Sequence, residues 1–225
     1  MIGSIINATA VIIGGILGLL IHTKLPKHIT NTTFQAIGLF TIVLGVSMAI
    51  QTTHFLAMVL SLVTGSILGS LLHLDTAITK IGEYLKTKTG STNSQFSEGF
   101  ITSFLLFCMG SLTILGAIEE GLGQSPTLLF SKSVLDGFSS IALAATMGAG
   151  VIFSAIPLLL YQGGITVATS IFHQSLSQLL ITELSAVGGV LLVGLGIDIL
   201  KIKKISVLNM LPSLAIMITI IYFFN

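Results

Sequence analysis

IGSIINATAVIIGGILGLLI, residues 2–21, runs for twenty positions without one charged side chain. A helix of that length spans about 30 Å, the hydrocarbon thickness of a bilayer. Its eleven Ile, Leu and Val residues favour insertion by roughly 3–7 kcal/mol in total, at about 0.3–0.6 each. No basic stretch precedes it and no small-x-small cleavage site stands before Lys24. It therefore reads as a retained transmembrane helix and not as a secretory signal.

The rest of the chain is written in the same style. Charged side chains make up 8% of the 225 residues and hydrophobic ones 53%, and the mean hydropathy is +1.05. A water-soluble domain carries about 25% charged residues to cover its surface, so lipid is the expected solvent. Further apolar runs fall at 34–50, 54–74, 99–118, 133–153, 155–172, 180–200 and 205–224. The expected fold is an all-α polytopic transmembrane bundle of about eight spans. It has seven if 133–172 forms one broken or re-entrant element.

Lysines orient the bundle. With the first helix entering from outside and every run crossing, Lys24, Lys27, Lys80, Lys86, Lys88, Lys201, Lys203 and Lys204 fall inside, and only Lys132 outside. That is a strong positive-inside bias. It is spoiled if the fifth and sixth runs merge. A bacterial inner membrane with both termini outside is the expected setting.

Residues 75–98 form the longest connection. Asp75 can start a helix there, Ile78, Ile81 and Leu85 share one face, the lysines point elsewhere, and Gly90 ends it. This predicts an amphipathic helix on the inner surface, with 91–97 as a linker. The chain thus divides into a three-helix part (1–74), the interfacial segment (75–98) and a five-helix part (99–225).

Several function classes drop out. All nine cations are Lys, whereas nucleic-acid recognition leans on Arg and basic patches. H-E-x-x-H, G-x-S-x-G and P-loop signatures are lacking. The five histidines have no metal-ligand spacing, and Cys108 sits alone in an apolar run. No enzyme, metal or cofactor is expected.

Residues 14–22, GGILGLLIH, are echoed by residues 65–73, GSILGSLLH, with six of nine positions identical. Each copy sets two glycines one turn apart on one helix face, which lets a second backbone approach closely. The echo fits either a duplicated helix unit or plain low complexity.

Polar residues within apolar runs carry more weight, because a carboxylate at the bilayer centre costs about 2.5–3.5 kcal/mol. Glu119 and Glu120 are expected in a solvated loop. Asp136 lies one turn after Lys132 near the start of the fifth run, the spacing of an i,i+4 ion pair. Glu183 begins the seventh run, where it serves either the helix dipole or a cation. The most unusual stretch is SAIPLLLYQGGITVATSIFHQ, 154–174. Pro157 removes a helical hydrogen bond, and Tyr161 and Gln162 stand beside Gly163 and Gly164. A broken helix is expected here, and unwound backbone at membrane depth lines cavities in many transporters.

KSVLDGFSSIALAATMGAGVIFSAIPLLLYQGG, residues 132–164, resembles the signature of the YdfK/YqgA-type family of bacterial multi-pass membrane proteins. MIGSIINATAVIIGGILG (1–18) and ITELSAVGGVLLVGLGIDIL (181–200) are similar to it as well, so the resemblance covers nearly the whole chain. Leu135-Asp136-Gly137 and Tyr161-Gln162-Gly163-Gly164 are its most specific elements. The family pattern carries Asn where this chain has Asp198, so no shared role passes to that carboxylate. The resemblance implies a polytopic inner-membrane protein for which transport has been guessed, and it supplies no substrate.

The expected function is a small secondary transporter or channel with its pathway between 154–174 and 180–200. Asp136, Gly137, Tyr161, Gln162, Gly163 and Glu183 are the candidate site, the carboxylates serving a coupling cation. The partners implied are the lipid bilayer and a small solute or monovalent cation, with a homo-oligomer left open. A non-transporting scaffold, assembly factor or regulator fits the glycine-rich helices equally well.

Overall fold

A computed structural model describes residues 1–22, 27–90, 94–172 and 177–224. Lys24, His173, Gln174 and residues 91–93 of the expected linker lie outside them. Among the described residues every regular element is helical: α1 (Ile2–His22), α2 (Lys27–Ala49), α3 (Phe55–Leu71), α4 (Leu74–Lys88), α5 (Phe96–Cys108), α6 (Ser111–Gly121), α7 (Thr127–Met147), α8 (Gly150–Phe153), α9 (Ala155–Phe172), α10 (Gln178–Ile199) and α11 (Pro212–Phe224), the last preceded by a 3-10 turn at Val207–Met210.

All eight apolar runs become helix, but the number of spans is smaller than expected. Four segments are long and apolar enough to cross a bilayer alone: α1, α7, Gly150–Ile171 and α10. Two bent pairs, α3 with α4 (60°) and α5 with α6 (61°), raise the number to six if each counts as one span. Two further apolar helical stretches, Gln35–Ala49 and Val207–Phe223, are shorter than 18 residues among the described residues.

The solvent preference is inverted relative to a water-soluble protein. On α1, Ile5, Ile12, Ile13, Ile16 and Leu20 face outward, while Ser4 and Asn7 are completely buried. Apolar faces of this extent need hydrocarbon around them.

The helices group into two compact units. Unit 1 comprises Met1–Thr33 and Ile81–Leu176. There α1 and α7 run parallel, Gly3 meeting Leu129, Gly14 meeting Gly137 and Ser140, and Gly18 meeting Ile141 and Ala144. A Cβ on Gly14 or Gly18 would collide with a carbonyl oxygen of α7, so glycine sets the approach distance. Along the other side of α1, α9 runs antiparallel. Where α5 gives way to α6, the Thr113 hydroxyl donates to the Phe107 carbonyl at 2.8 Å and satisfies an acceptor stranded by the bend.

The helix break lies earlier than the sequence implies. Gly148, at φ +83°, ends α7, and four-residue α8 plus a turn at Ser154 lead into α9. From there α9 is continuous through Tyr161-Gln162-Gly163-Gly164. Pro157 is tolerated because it occupies the first turn, where its missing N–H has no intrahelical partner to lose. A second difference is that α7 starts after Pro126, at Thr127, which puts Asp136 midway along this 21-residue helix and not near its start.

Unit 2 comprises Phe34–Lys80 and Ser177–Asn225. Here α3 and α11 are antiparallel, Gly65 meeting Ser213, while Gly69 abuts Asn209 in the turn before α11. Gly45 of α2 and Gly189 of α10 each approach the other's backbone. α10 is the most enclosed span, 72% buried against 39–44% for the other three, which suits its apolar character on every face. The amphipathic α4 forms as expected, with Asp75 in its first turn, Lys86 and Lys88 in its last, and Gly90 at φ +64° beyond it.

Candidate functional site

The interior of unit 1 holds a buried charged pair on the apolar helix α7. The Lys132 ammonium donates to both Asp136 oxygens, at 2.7 and 2.8 Å, and both side chains are buried. The i,i+4 spacing on α7 makes the pair, and the start of α7 at Thr127 puts it inside the helix. A third group comes from α1: Asn7 Nδ2 donates to Asp136 Oδ2 at 3.1 Å. Lys132 also lies 6.0 Å from the Phe107 ring centre. Cys108, next along α5, is buried as a free thiol.

Next to Tyr161, Gln162 is completely buried and neither Oε1 nor Nε2 has a hydrogen-bond partner. Asn7 Oδ1 and Ser103 Oγ are unpartnered too. A buried polar atom left unsatisfied costs about 1–3 kcal/mol, so a group of them in one packed unit calls for a reason.

One helical turn from Asn7 is a second polar layer. Glu120, expected in a solvated loop, is instead tied to the start of α1. It accepts from Gly3 N (2.6 Å), Ser4 Oγ (3.0 Å) and Thr166 Oγ1 (3.4 Å), and the Met1 ammonium lies 3.1 Å away. The α1 start offers backbone N–H groups with no intrahelical acceptor, and a carboxylate there satisfies one and complements the dipole.

Unit 2 uses Glu183 in the same way. Its fully buried side chain accepts from the Thr52 hydroxyl, from Thr53 N (2.8 Å) and Oγ1 (2.9 Å) and from His54 N (3.2 Å), with His54 Nδ1 at 3.3 Å. These residues immediately precede α3. Both oxygens are occupied by donors, the arrangement a helix start needs.

Of the six candidate residues, the fold brings five into unit 1. Asp136 and Gly137 sit on α7, with Gly137 in the seam against α1. Tyr161, Gln162 and Gly163 sit on α9. Glu183 belongs to unit 2 with its own set of partners.

Comparison with known proteins bears on what this arrangement is for. The family profile described as "Protein of unknown function (DUF554)" matches residues 2–222. The chain belongs to the DUF554 family. Among DUF554 relatives, the Uncharacterized membrane protein YdfK of Bacillus subtilis (strain 168) is 33% identical over 226 residues, covering 99% of this chain and 96% of its own length. The Uncharacterized protein YqgA of Escherichia coli (strain K12) is 32% identical over 219 residues, covering 95% and 93%. No solved structure matches. The DUF554 assignment, the apolar helices and the inverted surface together establish a membrane protein.

In this DUF554 chain, sequence reasoning missed Asn7, Ser103 and the Thr52-Thr53-His54 cap. Asn7 carried a usable signal as the one side-chain amide in twenty apolar positions of the first run. Its partner lies 129 residues away, which no local pattern reveals.

Proposed function

We propose that this DUF554 protein is a small transporter or channel of the bacterial inner membrane, whose solute passes through unit 1 beside α1, α7 and α9. The observation that carries this reading is the polar interior of unit 1. Polar and ionisable groups inside spans are costly, face the bundle interior, and mark solute or ion paths in membrane proteins. A core serving packing alone gains nothing from a completely buried amide whose two polar atoms are unpaired. Lys132 is buried with Asp136 and does not lie in a loop, so it belongs to this interior and not to the lysines that mark a membrane face. Glu183 acts in this reading as the cap of α3 and not as a coupling site.

The test is flux in proteoliposomes. Purified wild-type protein should carry some small solute faster than empty liposomes, and Asp136→Asn and Gln162→Leu should lower that flux. Flux equal to empty liposomes for every solute tried would remove the reading. A stoichiometric foreign protein retained through purification in mild detergent would favour a scaffold or regulator instead.

A further inference from the structure

The transport reading leaves the chemistry of the solute open, and the hydrogen-bond pattern of unit 1 narrows it. The charges there already satisfy each other: Lys132 and Asp136 form a two-pronged pair, and Asn7 Nδ2 fills a further site on the carboxylate. What remains unmet is neutral. Gln162 offers one acceptor oxygen and one donor amide, and Asn7 offers one acceptor oxygen.

Each of the two amides lies about one helical turn from the Glu120 carboxylate. Ser4 of α1 and Thr166 of α9 both donate to Glu120 Oε2, which brings these two turns of the antiparallel helices to one carboxylate. From Ser4 to Asn7 is about 4.5 Å along α1, and from Thr166 back to Gln162 about 6 Å along α9 in the same direction. Asn7 and Gln162 therefore stand one turn in from the Glu120 layer, on neighbouring helices. Ser103 adds a hydroxyl from α5, which also packs against α9.

We propose that this site takes a small uncharged solute bearing both a hydrogen-bond donor and an acceptor, held by Gln162 with Asn7. This deepens the transport reading of the same site and rests on it for the idea of passage. A donor on the solute meets Asn7 Oδ1 or Gln162 Oε1, and an acceptor meets Gln162 Nε2. An added cation would face the Lys132 ammonium and an added anion the Asp136 carboxylate. Either would leave a net charge in a low-dielectric interior whose present charges cancel. The unpaired groups match a neutral molecule without disturbing the pair.

Three molecules of nearly one shape and different charge test this: acetamide (neutral), acetate (anionic) and acetamidinium (cationic). Binding is read by saturation-transfer NMR on the protein in nanodiscs, and passage by light scattering from proteoliposomes. Acetamide should bind and permeate in preference to both ions. Gln162→Leu and the length-preserving Gln162→Met should each weaken acetamide binding about tenfold, the effect of losing one well-made hydrogen bond. Both variants should fold, since each removes an unsatisfied buried amide. Preference for acetate or acetamidinium overturns the proposal, as does binding of none of the three, or acetamide binding unchanged in both variants. Acetamide binding without flux upholds the solute class and defeats the transport reading.

Discussion

The two copies of the echoed sequence end in different surroundings. GGILGLLIH lies on α1, whose glycines press against α7 in a parallel pair. GSILGSLLH closes α3 and runs two residues past its end at Leu71, and its glycines meet Ser213 of α11 and Asn209 of the preceding turn in an antiparallel arrangement. Each helix begins at a buried or nearly buried carboxylate, Glu120 for α1 and Glu183 for α3. Yet α6 runs opposite to α1 and ends at its start, whereas α10 runs with α3 and has Glu183 near its own start. A duplicated unit would repeat the directions as well as the residues. The echo is thus a packing device used twice. What distinguishes the regions is polar content: α1 and α7 enclose Asn7, Lys132 and Asp136 beneath their glycine seam, whereas the α3 seam carries no buried ion pair among the described residues.

The largest expected effect comes from that difference. Lys132→Met strands a buried carboxylate and should cost about 3–5 kcal/mol, while Lys132→Met with Asp136→Leu should recover most of it, because replacing both members of a buried pair is often neutral. Reversible unfolding in detergent measures both. A double variant as unstable as the single one would mean that the pair itself holds α7 in place.

Gly14→Leu and Gly69→Leu sharpen the comparison. Each forces a side chain against backbone and should cost about 1–3 kcal/mol by overpacking. In the folded fraction, Gly14→Leu should lose acetamide binding and Gly69→Leu should keep it. Equal loss in both would erase the distinction between the seams.

The smallest effect concerns the starts of the two helices. Glu120→Ala and Glu183→Ala each remove acceptors from unpaired N–H groups and should cost about 0.5–2 kcal/mol. Unfolding free energies for the two should agree within that range. A far larger loss for one would give that carboxylate a task beyond its helix.

Much of the fold was legible because insertion depends on length and apolarity, which are local properties. Every apolar run became helix, and Gly90 ended α4 where its backbone freedom implied. The break near 154 was misplaced because Pro157 in a first turn and Gly163-Gly164 within a span are both compatible with continuous helix, and sequence alone does not give the starting residue. Half the site was legible: Lys132 and Asp136 share a helix at readable spacing. Asn7 beside Asp136 and Thr52-Thr53-His54 around Glu183 are pairings across about 130 residues, and only packing reveals them.

A path through unit 1 requires that water and solute reach Gln162 from outside the protein. In a Cys108→Ala background, Gln162→Cys should react with methyl methanethiosulfonate in liposomes, because the thiolate that attacks this small neutral reagent and displaces methanesulfinate forms only where water is present. Val134→Cys, on the exposed apolar face of α7, should stay unmodified under the same conditions. Equal inertness at both positions would contradict a hydrated path through unit 1.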